Sequence, residues 1–353
     1  MNIYFLQNSA AHYNCNLFNT LSREENIENV VVITRSLIGP VERNLQGVNL
    51  HVKPSFVKYL FEIMKVLPMK NVIVVYDGHS SFLVSFFLCI IGLFYKIRLV
   101  LWSLGAVPLR PKGLRGKLGD ILAKLYCHSS EFIVCYGSHA KDYFVSLGIS
   151  ARKLYIAQNA LPLPKIEIKD KYQKNNKQLE KVKIVFVGAL KPQKNIELLI
   201  KVIAHHPYIK LDIIGDGPCF EEFRLIALNH NADNIVFIGS LFGSELSNRL
   251  VSYNFAVLPG LGGLAINTAL SHGLPVICGP ADGTEQDLVI DGHTGILLQS
   301  VTFKSLETAI LNLLEKPNLC EEMGGNGQKL ISEKYTVEEQ AKVFMDVFNQ
   351  VSV

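Results

Sequence analysis

Two stretches in the second half of the chain combine residue types suited to binding an anion, and the first of them also carries lysines. In residues 183–200, KIVFVGALKPQKNIELLI, an apolar run ends at Gly188, a short loop holds Lys191 and Lys194, and a helical pattern starts near Asn195. Glycine lets a ligand approach the backbone, and a helix N terminus offers unpaired N–H groups to an anion. The segment therefore suits a diphosphate, although an ordinary β–α turn with a solvated lysine has the same pattern.

The second stretch, residues 255–280, is richer in glycine. Here FAVLPGLGGLAINTALSHGLPVICGP places Gly260, Gly262 and Gly263 between an apolar run and a helical pattern that begins near Leu264. In open α/β sheets ligands bind at the carboxyl ends of the strands, where such a turn exposes backbone N–H groups. A turn needed only for structure rarely requires three glycines, so we interpret this one as a ligand contact.

Short apolar runs alternate with helical patterns along the whole chain, and each run is apolar throughout rather than at every second residue. Such runs predict strands covered by helices on both faces, and therefore parallel, doubly wound α/β sheets. The predicted strands are Ile3–Leu6, Val30–Thr34, Val72–Tyr76, Leu99–Trp102 and Phe132–Tyr136, then Lys183–Val187, Lys210–Ile214, Ile235–Ile238, Phe255–Leu258 and Pro275–Cys278.

Composition places a domain boundary near the middle of the chain. The stretch 161–181 contains two prolines, many charges and few large hydrophobic residues, which is typical of an interdomain linker. We therefore predict a first domain over residues 1–162, a linker over 163–181 and a second domain over 182–336. The last helix, 337–353, is expected to pack back on the first domain.

The order of the motifs in the second domain resembles glycosyltransferase family 4. GxLKPxKN (188–195) is followed by GDGP (215–218), PGxxGL (259–264) and EQDLVIDGHTGIL (285–297). In the first domain the resemblance is weaker and rests on LVLW and on residues 136–159. It implies the GT-B fold, two doubly wound Rossmann-like domains facing each other across a cleft, with the acceptor bound by the first and a nucleotide-sugar by the second. A dinucleotide-binding dehydrogenase is excluded, because the turn after the first strand, QNSAAH, lacks the glycines of its fingerprint.

The resemblance implies roles for residues on the donor side. Lys194 corresponds to the lysine that contacts the donor diphosphate and stabilises the leaving group, and Gly263 and Leu264 to residues whose backbone N–H groups bind phosphate. Family members have an arginine directly after the glycine, where this chain has Ala189. We therefore expect Lys191 to supply the second positive charge.

The chain departs from the Glu-x7-Glu motif of the family, and this leaves the donor open. The first glutamate corresponds to Gly260 and the second to Thr268. A carboxylate at the second position binds the ribose, and here Asn267 or Thr268 is left to accept that hydrogen bond without charge assistance. Glu285 corresponds to an acidic residue near the donor pocket, and a glutamate at a helix N terminus also has a role with the helix dipole.

The first domain lacks the histidine that many relatives place after the strand corresponding to LVLW. The chain reads Ser103-Leu104-Gly105 there, and His79 and His12 are the candidate substitutes near the cleft edge of the sheet. For both, a histidine in a surface loop is the alternative interpretation. In the reaction expected for such enzymes the leaving phosphate accepts the acceptor proton itself, so the missing histidine is compatible with activity.

Positive charge is concentrated in the first half of the chain. Residues 1–160 contain 17 Lys and Arg against 9 Asp and Glu. The segment RPKGLRGKLGDILAKL supplies Arg110, Lys112, Arg115 and Lys117, which we expect to meet an anionic membrane or a polyprenyl-diphosphate-linked acceptor. A solvated basic loop is the alternative, and nucleic acid is disfavoured because aromatic residues are not interleaved with the charges.

Composition limits the setting of the protein. Of its 353 residues 49% are hydrophobic and 19% charged, and the 7 cysteines form no CxxC pair, as in a reducing compartment. The longest apolar run, 80–95, is shorter than the roughly 20 residues of a membrane-spanning helix, and the first residues, which lack a basic region and a cleavage pattern, are expected to form a strand and not a signal peptide. We expect a cytoplasmic protein, peripheral on the inner face of the plasma membrane.

The sequence thus predicts a retaining glycosyltransferase of surface polysaccharide or glycolipid synthesis. It would move a sugar from a UDP- or GDP-sugar to a saccharide or lipid-linked saccharide, with no cofactor and no metal. The missing glutamates, arginine and histidine leave two alternatives, a catalytically silent GT-B binding partner and a GT-B sugar-nucleotide epimerase. Absence of nucleotide binding would favour the first, and free product without an acceptor the second.

Overall fold

A computed structural model describes residues 1–66, 72–77, 86–88, 90, 98–106, 113–164 and 182–352. The contacts divide the chain into two compact units. Unit 1 comprises Met1–Pro162 together with Tyr335–Val353, and unit 2 comprises Leu163–Lys334.

Unit 1 is built on a parallel sheet of seven strands in the order β3-β2-β1-β4-β5-β6-β7. The strands are β1 (Asn2–Ala11), β2 (Asn29–Ile38), β3 (Val48–Val52), β4 (Val72–Asp77), β5 (Arg98–Ser103), β6 (Phe132–Cys135) and β7 (Leu154–Ile156). Successive side chains of a strand point to opposite faces, and here both faces are buried, which explains why the runs are apolar throughout.

Helices cover both faces of this sheet. They are α1 (Cys15–Leu21), α2 (Val41–Asn44), α3 (Phe56–Val66), α4 (Leu114–Ser129), α5 (Ser138–Ser146) and, at the end of the chain, α13 (Val337–Ser352). One core contains Phe5 and Trp102 with residues of α1 and α13. The other contains Leu6 and Tyr76 with residues of α3, α4 and α5.

The C-terminal helix α13 belongs to unit 1 because of its aromatic residues. The ring of Phe344 lies 5.2 Å from that of Trp102 and 6.0 Å from that of Phe5. Phe344 and Phe348 are fully buried. Burial of such large apolar surface is the dominant favourable term in folding, so α13 completes the core of unit 1 although it follows unit 2 in sequence.

Unit 2 contains a parallel sheet of six strands in the order β10-β9-β8-β11-β12-β13. The strands are β8 (Lys183–Val187), β9 (Lys210–Ile214), β10 (Ile235–Gly239), β11 (Phe255–Leu258), β12 (Val276–Cys278) and β13 (Gly295–Leu297). The helices are α6 (Ile196–Ala204), α7 (Phe220–Asn229), α8 (Gly243–Leu250), α9 (Leu264–Ser271), α10 (Glu285–Leu288), α11 (Phe303–Glu315) and α12 (Pro317–Lys334).

The prediction of two doubly wound parallel sheets is confirmed, with differences in detail. Strand β1 does not end in a polar loop after Leu6 but continues to Ala11, because it pairs with β2 as far as Ile38. The sequence interpretation also omitted β3, β7 and β13, which are short strands at or beside a sheet edge.

Three further findings concern the cysteines, membrane-spanning helices and metal ligands. The described cysteines are free and buried, as expected of small core residues. No helix in the described part of the chain is long and apolar enough to cross a membrane. Within the same residues, His, Cys, Asp and Glu form no group of three that could hold a metal ion.

Candidate functional site

The chain order of unit 2 creates a topological switch point at β8. From β8 the chain proceeds outward through β9 and β10, and it then returns to the other side of β8 with β11 and proceeds through β12 and β13. The loops after β8 and β11 therefore leave the sheet in opposite directions. In open α/β sheets the ligand binds in the crevice between two such loops, at the carboxyl edge.

The loops after β8 and β9 pack backbone against backbone. Gly188 donates its N–H to the carbonyl of Ile214 at 3.0 Å, and a side chain on Gly215 would collide with the Gly188 carbonyl. A Cβ on Gly217 would lie 2.8 Å from the backbone nitrogen of Leu190. The glycines of the GDGP motif therefore serve close packing between two loops.

The glycine-rich loop after β11 packs equally closely against the loop after β8. A Cβ on Gly260 would lie 2.6 Å from the carbonyl carbon of Lys194 and 2.8 Å from its Cα. Leu261 donates its N–H to the carbonyl of Gln193 at 2.9 Å. The position that corresponds to the first glutamate of the family motif is thus filled by backbone, and a side chain has no room there.

Lys194 lies at the junction of these loops. Its ammonium group donates to the carbonyl of Leu261 and, at 3.4 Å, to that of Gly262, and a Cβ on Gly188 would be 3.7 Å from Nζ. Burial lowers the pKa of Lys194, the carboxylate of Asp282 opposes that shift, and the charge of Lys191 adds to it. The site therefore contains a half-buried cation whose present partners are neutral carbonyls.

Helix α9 starts at the same place, and its N terminus has no side-chain cap. Gly263 precedes the helix at φ 57° and ψ −143°, no side chain caps the helix, and a Cβ there would meet open space. The first N–H groups of a helix have no intrahelical acceptor, and the helix dipole makes them attractive to an anion. Together with Lys194, this end of α9 forms an anion-binding arrangement at the switch point.

The two polar residues predicted to accept from a ribose lie within α9. Asn267 is buried at 4% exposure. The hydroxyl of the half-buried Thr268 donates to the carbonyl of Leu264 at 3.0 Å. Since a hydroxyl oxygen retains acceptor capacity after donating, Thr268 can still receive a hydrogen bond.

Glu285 is buried at 1% exposure and holds the loop after β12. Its carboxylate accepts from the N–H groups of Ala281 at 3.0 Å and of Gly283 at 2.8 Å. Burial raises the pKa of Cys278, and the charge of Glu285 adds to that effect. The carboxylate therefore acts on the backbone of its own loop.

Asp282, which the sequence interpretation did not single out, carries the charge next to Lys194. Its carboxylate accepts from the backbone N–H of Thr284 at 3.1 Å and from the Thr284 hydroxyl at 2.6 Å. The available signal was the run Asp-Gly-Thr directly after β12, at the same edge of the sheet as Lys194. Ala189 and Lys191 are exposed in the loop after β8.

Unit 1 has its own switch point, between β1 and β4. His12 follows β1 directly, and its Nδ1 lies 3.2 Å from the carbonyl oxygen of Ile38. Burial raises the pKa values of Tyr13 and Tyr136, and Asp77 at the end of β4 adds to both shifts. The sequence interpretation omitted these three residues, which lie close together at the carboxyl edge of the sheet.

Of the five remaining predicted residues of unit 1, the structure describes two. His79, Arg110 and Lys112 lie outside the described residues. Arg115 and Lys117 lie in the first turn of α4, where Lys117 is exposed.

Comparison with known proteins identifies a common fold and a related sequence. Residues 167–330 match the model of the family Glycosyl transferases group 1. An uncharacterized glycosyltransferase of Methanocaldococcus jannaschii is 26% identical over 247 residues, which are 65% of this chain and 61% of the relative. A second such protein from that organism is matched over 48% of its length, so the chain spans about half to three-fifths of these curated relatives.

Two solved structures resemble the whole chain. HepE of Anabaena, solved in complex with UDP, superposes with a TM-score of 0.75 at 16% identity and covers 99% of this chain and 100% of its own. The lipopolysaccharide outer core galactosyltransferase WaaB superposes with a TM-score of 0.74 at 14% identity over 99% and 100% of the two chains. The fold is thus that of GT-B glycosyltransferases, as the sequence predicted.

Proposed function

We propose that this protein is a retaining glycosyltransferase of the type found in glycosyltransferase family 4, which transfers a sugar from a nucleotide-sugar to a saccharide or lipid-linked saccharide. The observation that carries the proposal is the placement of Lys194 beside the open N terminus of α9, at the switch point of unit 2. A diphosphate matches this arrangement of one ammonium group and several backbone N–H groups. The family match over residues 167–330 and the likeness to a UDP complex support the same reading.

In this proposal the diphosphate replaces the loop carbonyls as the partner of Lys194. Exchange of neutral carbonyls for a charged phosphate strengthens the hydrogen bonds of a half-buried ammonium group. Lys191 approaches from the exposed side of the loop and supplies the charge that an arginine provides in relatives. The carboxylate of Asp282 favours the protonated form of Lys194, since it opposes the lowering of the lysine pKa.

The reaction requires that negative charge be stabilised on the leaving diphosphate. The bond between the anomeric carbon and the phosphate oxygen breaks, a bond to the acceptor oxygen forms on the same face of the sugar, and the acceptor proton passes to the leaving phosphate. Lys194 and the N terminus of α9 stabilise the developing charge, and loss of one such donor typically costs about 100- to 1000-fold in kcat. The family resemblance supports the proposal that configuration is retained.

The remaining finer proposals concern the surroundings of the reaction. The nucleotide is UDP or GDP, with Asn267 and Thr268 near its ribose. The acceptor binds unit 1, where His12 and His79 are the candidate substitutes for the missing histidine. We place the protein in surface polysaccharide or glycolipid synthesis, on the cytoplasmic face of the plasma membrane, with a polyprenyl-diphosphate-linked saccharide as the form of acceptor that suits the basic first half.

Titration calorimetry with UDP and GDP tests the donor site. We expect one of the two to bind, and Lys194→Ala to weaken that binding at least tenfold, because a hydrogen bond to a charged group contributes about 1.5–3 kcal/mol. Lys201→Ala is the matched control, since the Lys201 side chain on α6 is 42% exposed and pairs with Glu197 at 2.6 Å. Equal affinity of Lys194→Ala and the wild-type protein would contradict the assignment.

This titration and an assay of product release from nucleotide-sugars together separate the alternatives, which the comparisons do not favour. A silent binding partner would bind neither nucleotide. An epimerase would release free product from a nucleotide-sugar in the absence of any acceptor, whereas a transferase requires the acceptor for turnover.

A further inference from the structure

Unit 1 exposes apolar side chains on three neighbouring helical segments. Apolar residues of α3, of the described positions 86 and 90, and of α4 are between 37% and 79% exposed. We call this set the outer apolar face; its members are Val57, Phe61 and Met64, then Phe86 and Ile90, then Leu114, Leu118, Ile121 and Leu125.

The spacing of these residues forms a second apolar stripe on each long helix. Val57, Phe61 and Met64 are four and three residues apart, and the four residues of α4 follow the same rule, so each set lies along one side of its helix. The opposite sides bury Tyr59 and Tyr126 in the core beneath. A surface helix of a globular domain needs only that inner stripe, and the outer one is therefore unexplained by folding.

The three segments lie side by side on one face of the sheet. They follow β3, β4 and β5, and their buried residues Ile63, Leu88 and Cys127 belong to a single core. A contiguous exposed apolar patch on a protein surface can mark an interaction surface.

Basic residues outnumber acidic residues on this face. Lys58 and Lys65 of α3 and Lys117 and Lys124 of α4 are exposed. The acidic residues of the two helices are engaged: Glu62 bonds His51 at 3.0 Å and Lys65 at 3.3 Å, and Asp120 accepts from the Tyr143 hydroxyl at 2.8 Å.

We infer that the outer apolar face lies on a bilayer containing anionic lipids, with the apolar side chains below the headgroups and the lysines at the phosphates. Two weak signals, an apolar face and a basic rim, are together sufficient for interfacial binding. A second copy of this chain fits less well, because a two-fold contact would bring the lysines of both copies together. The inference rests on the membrane contact in the proposed function and specifies the surface that makes it.

Vesicle co-sedimentation of the full-length protein tests this surface. We expect binding to phosphatidylcholine vesicles that contain roughly one-third phosphatidylglycerol, and much weaker binding to pure phosphatidylcholine. Leu118→Ser with Ile121→Ser should reduce partitioning about 30-fold, since two inserted apolar side chains are lost. Lys117→Gln with Lys124→Gln should reduce it about 30-fold at low salt and less at high salt.

The matched control is Leu225→Ser with Leu228→Ser in α7 of unit 2. These leucines are 57% and 59% exposed, close to the 54% of Leu118 and the 62% of Ile121, and we expect no change in partitioning. A second measurement is independent of any loss of stability. The chain has 1 tryptophan, Trp102, which is buried, so an added Ile121→Trp should show a blue shift in emission with anionic vesicles, and Leu228→Trp should not.

Three results would overturn the inference: no binding to anionic vesicles, equal binding of the α4 double variant and the wild-type protein, or a dimer that the α4 variant makes monomeric. Nucleotide titration with the same variants separates this outcome from failure of the proposed function. Vesicle binding without nucleotide binding would support the membrane-binding surface and contradict the transferase function. Nucleotide binding without vesicle binding would support the transferase function and contradict the membrane-binding surface.

Discussion

Replacement of Gly260 by alanine tests whether the contact between the two site loops is as close as the structure shows. The added methyl group would lie 2.6 Å from the carbonyl carbon of Lys194 and 2.8 Å from its Cα. Both are backbone atoms, which cannot rotate away, so one loop must move. Overpacking of this kind costs about 1–3 kcal/mol, and loss of the hydrogen bond from Leu261 to Gln193 adds about 1 kcal/mol.

We therefore expect Gly260→Ala to destabilise unit 2 by about 3 kcal/mol. For a unit of this size that corresponds to a fall of about 6–12 °C in the Tm of its transition by scanning calorimetry. Displacement of the loop also moves Lys194, so nucleotide affinity should fall in the same variant. Gly260→Glu should behave at least as badly, which means that the glutamate of the family motif cannot be restored by a single substitution.

Gly325→Ala is the matched control for this prediction. Gly325 lies inside α12, and a Cβ there meets nothing within 4 Å. Alanine is preferred over glycine in a helix by about 0.5–1 kcal/mol, so the same chemical change should stabilise the protein. A Gly260→Ala protein within about 0.5 kcal/mol of the wild type would refute the reasoning.

Three further predictions concern the pH response, the loop after β12 and the last helix. Burial lowers the pKa of Lys194 in the folded protein below the ordinary 10.5, so the unfolded chain binds that proton more tightly. As pH rises between the folded and the unfolded pKa, Lys194 should therefore increase the free energy of unfolding, while nucleotide affinity falls. Lys194→Met should abolish the first trend in denaturation experiments and the second in calorimetry. Glu285→Gln should cost about 2–3 kcal/mol in thermal unfolding, since an amide NH2 would face a backbone N–H, and the exposed Glu321→Gln should be neutral. Phe344→Ala should cost about 3–5 kcal/mol in unit 1 and leave the Tm of unit 2 unchanged, whereas Lys342→Ala at an exposed position should leave both transitions in place.

Most strands could be predicted because burial on both faces requires a continuous run of apolar residues in the local sequence. Lys183–Val187, Lys210–Ile214 and Phe255–Leu258 are strands with the predicted bounds. Edge strands need not have such a run: β3 is only partly buried and alternates polar with apolar residues. Strands of three residues, such as β13, are too short for any pattern to separate them from loops.

The motifs could be read from sequence, but the partners of each side chain could not. Glycines after β8 and β11 and the lysine at position 194 pointed to the carboxyl edge of unit 2. The neighbouring loop decides which glycines pack against backbone and which have free space beside them. A Cβ on Gly260 would collide with the backbone of Gln193 and Lys194, whereas a Cβ on Gly263 would meet no atom within 4 Å. The same holds for the two carboxylates after β12: Asp282 interacts with the charge of Lys194, and Glu285 accepts hydrogen bonds from the backbone of its own loop.

By itself, the sequence determined the alternation of strands and helices, the parallel sheets and the motif order of the second unit, since these follow from local periodicity and from residue types at strand ends. The sequence also led us to expect the last helix on the first domain, but tertiary structure alone decided which core residues α13 contacts there. It alone decided that Lys194 is half-buried beside Asp282, and that α3 and α4 each carry a second, outward apolar stripe. Each of these depends on contacts between residues distant in sequence. A pattern of residue types shows that a side chain is apolar or charged, and only packing shows what it faces.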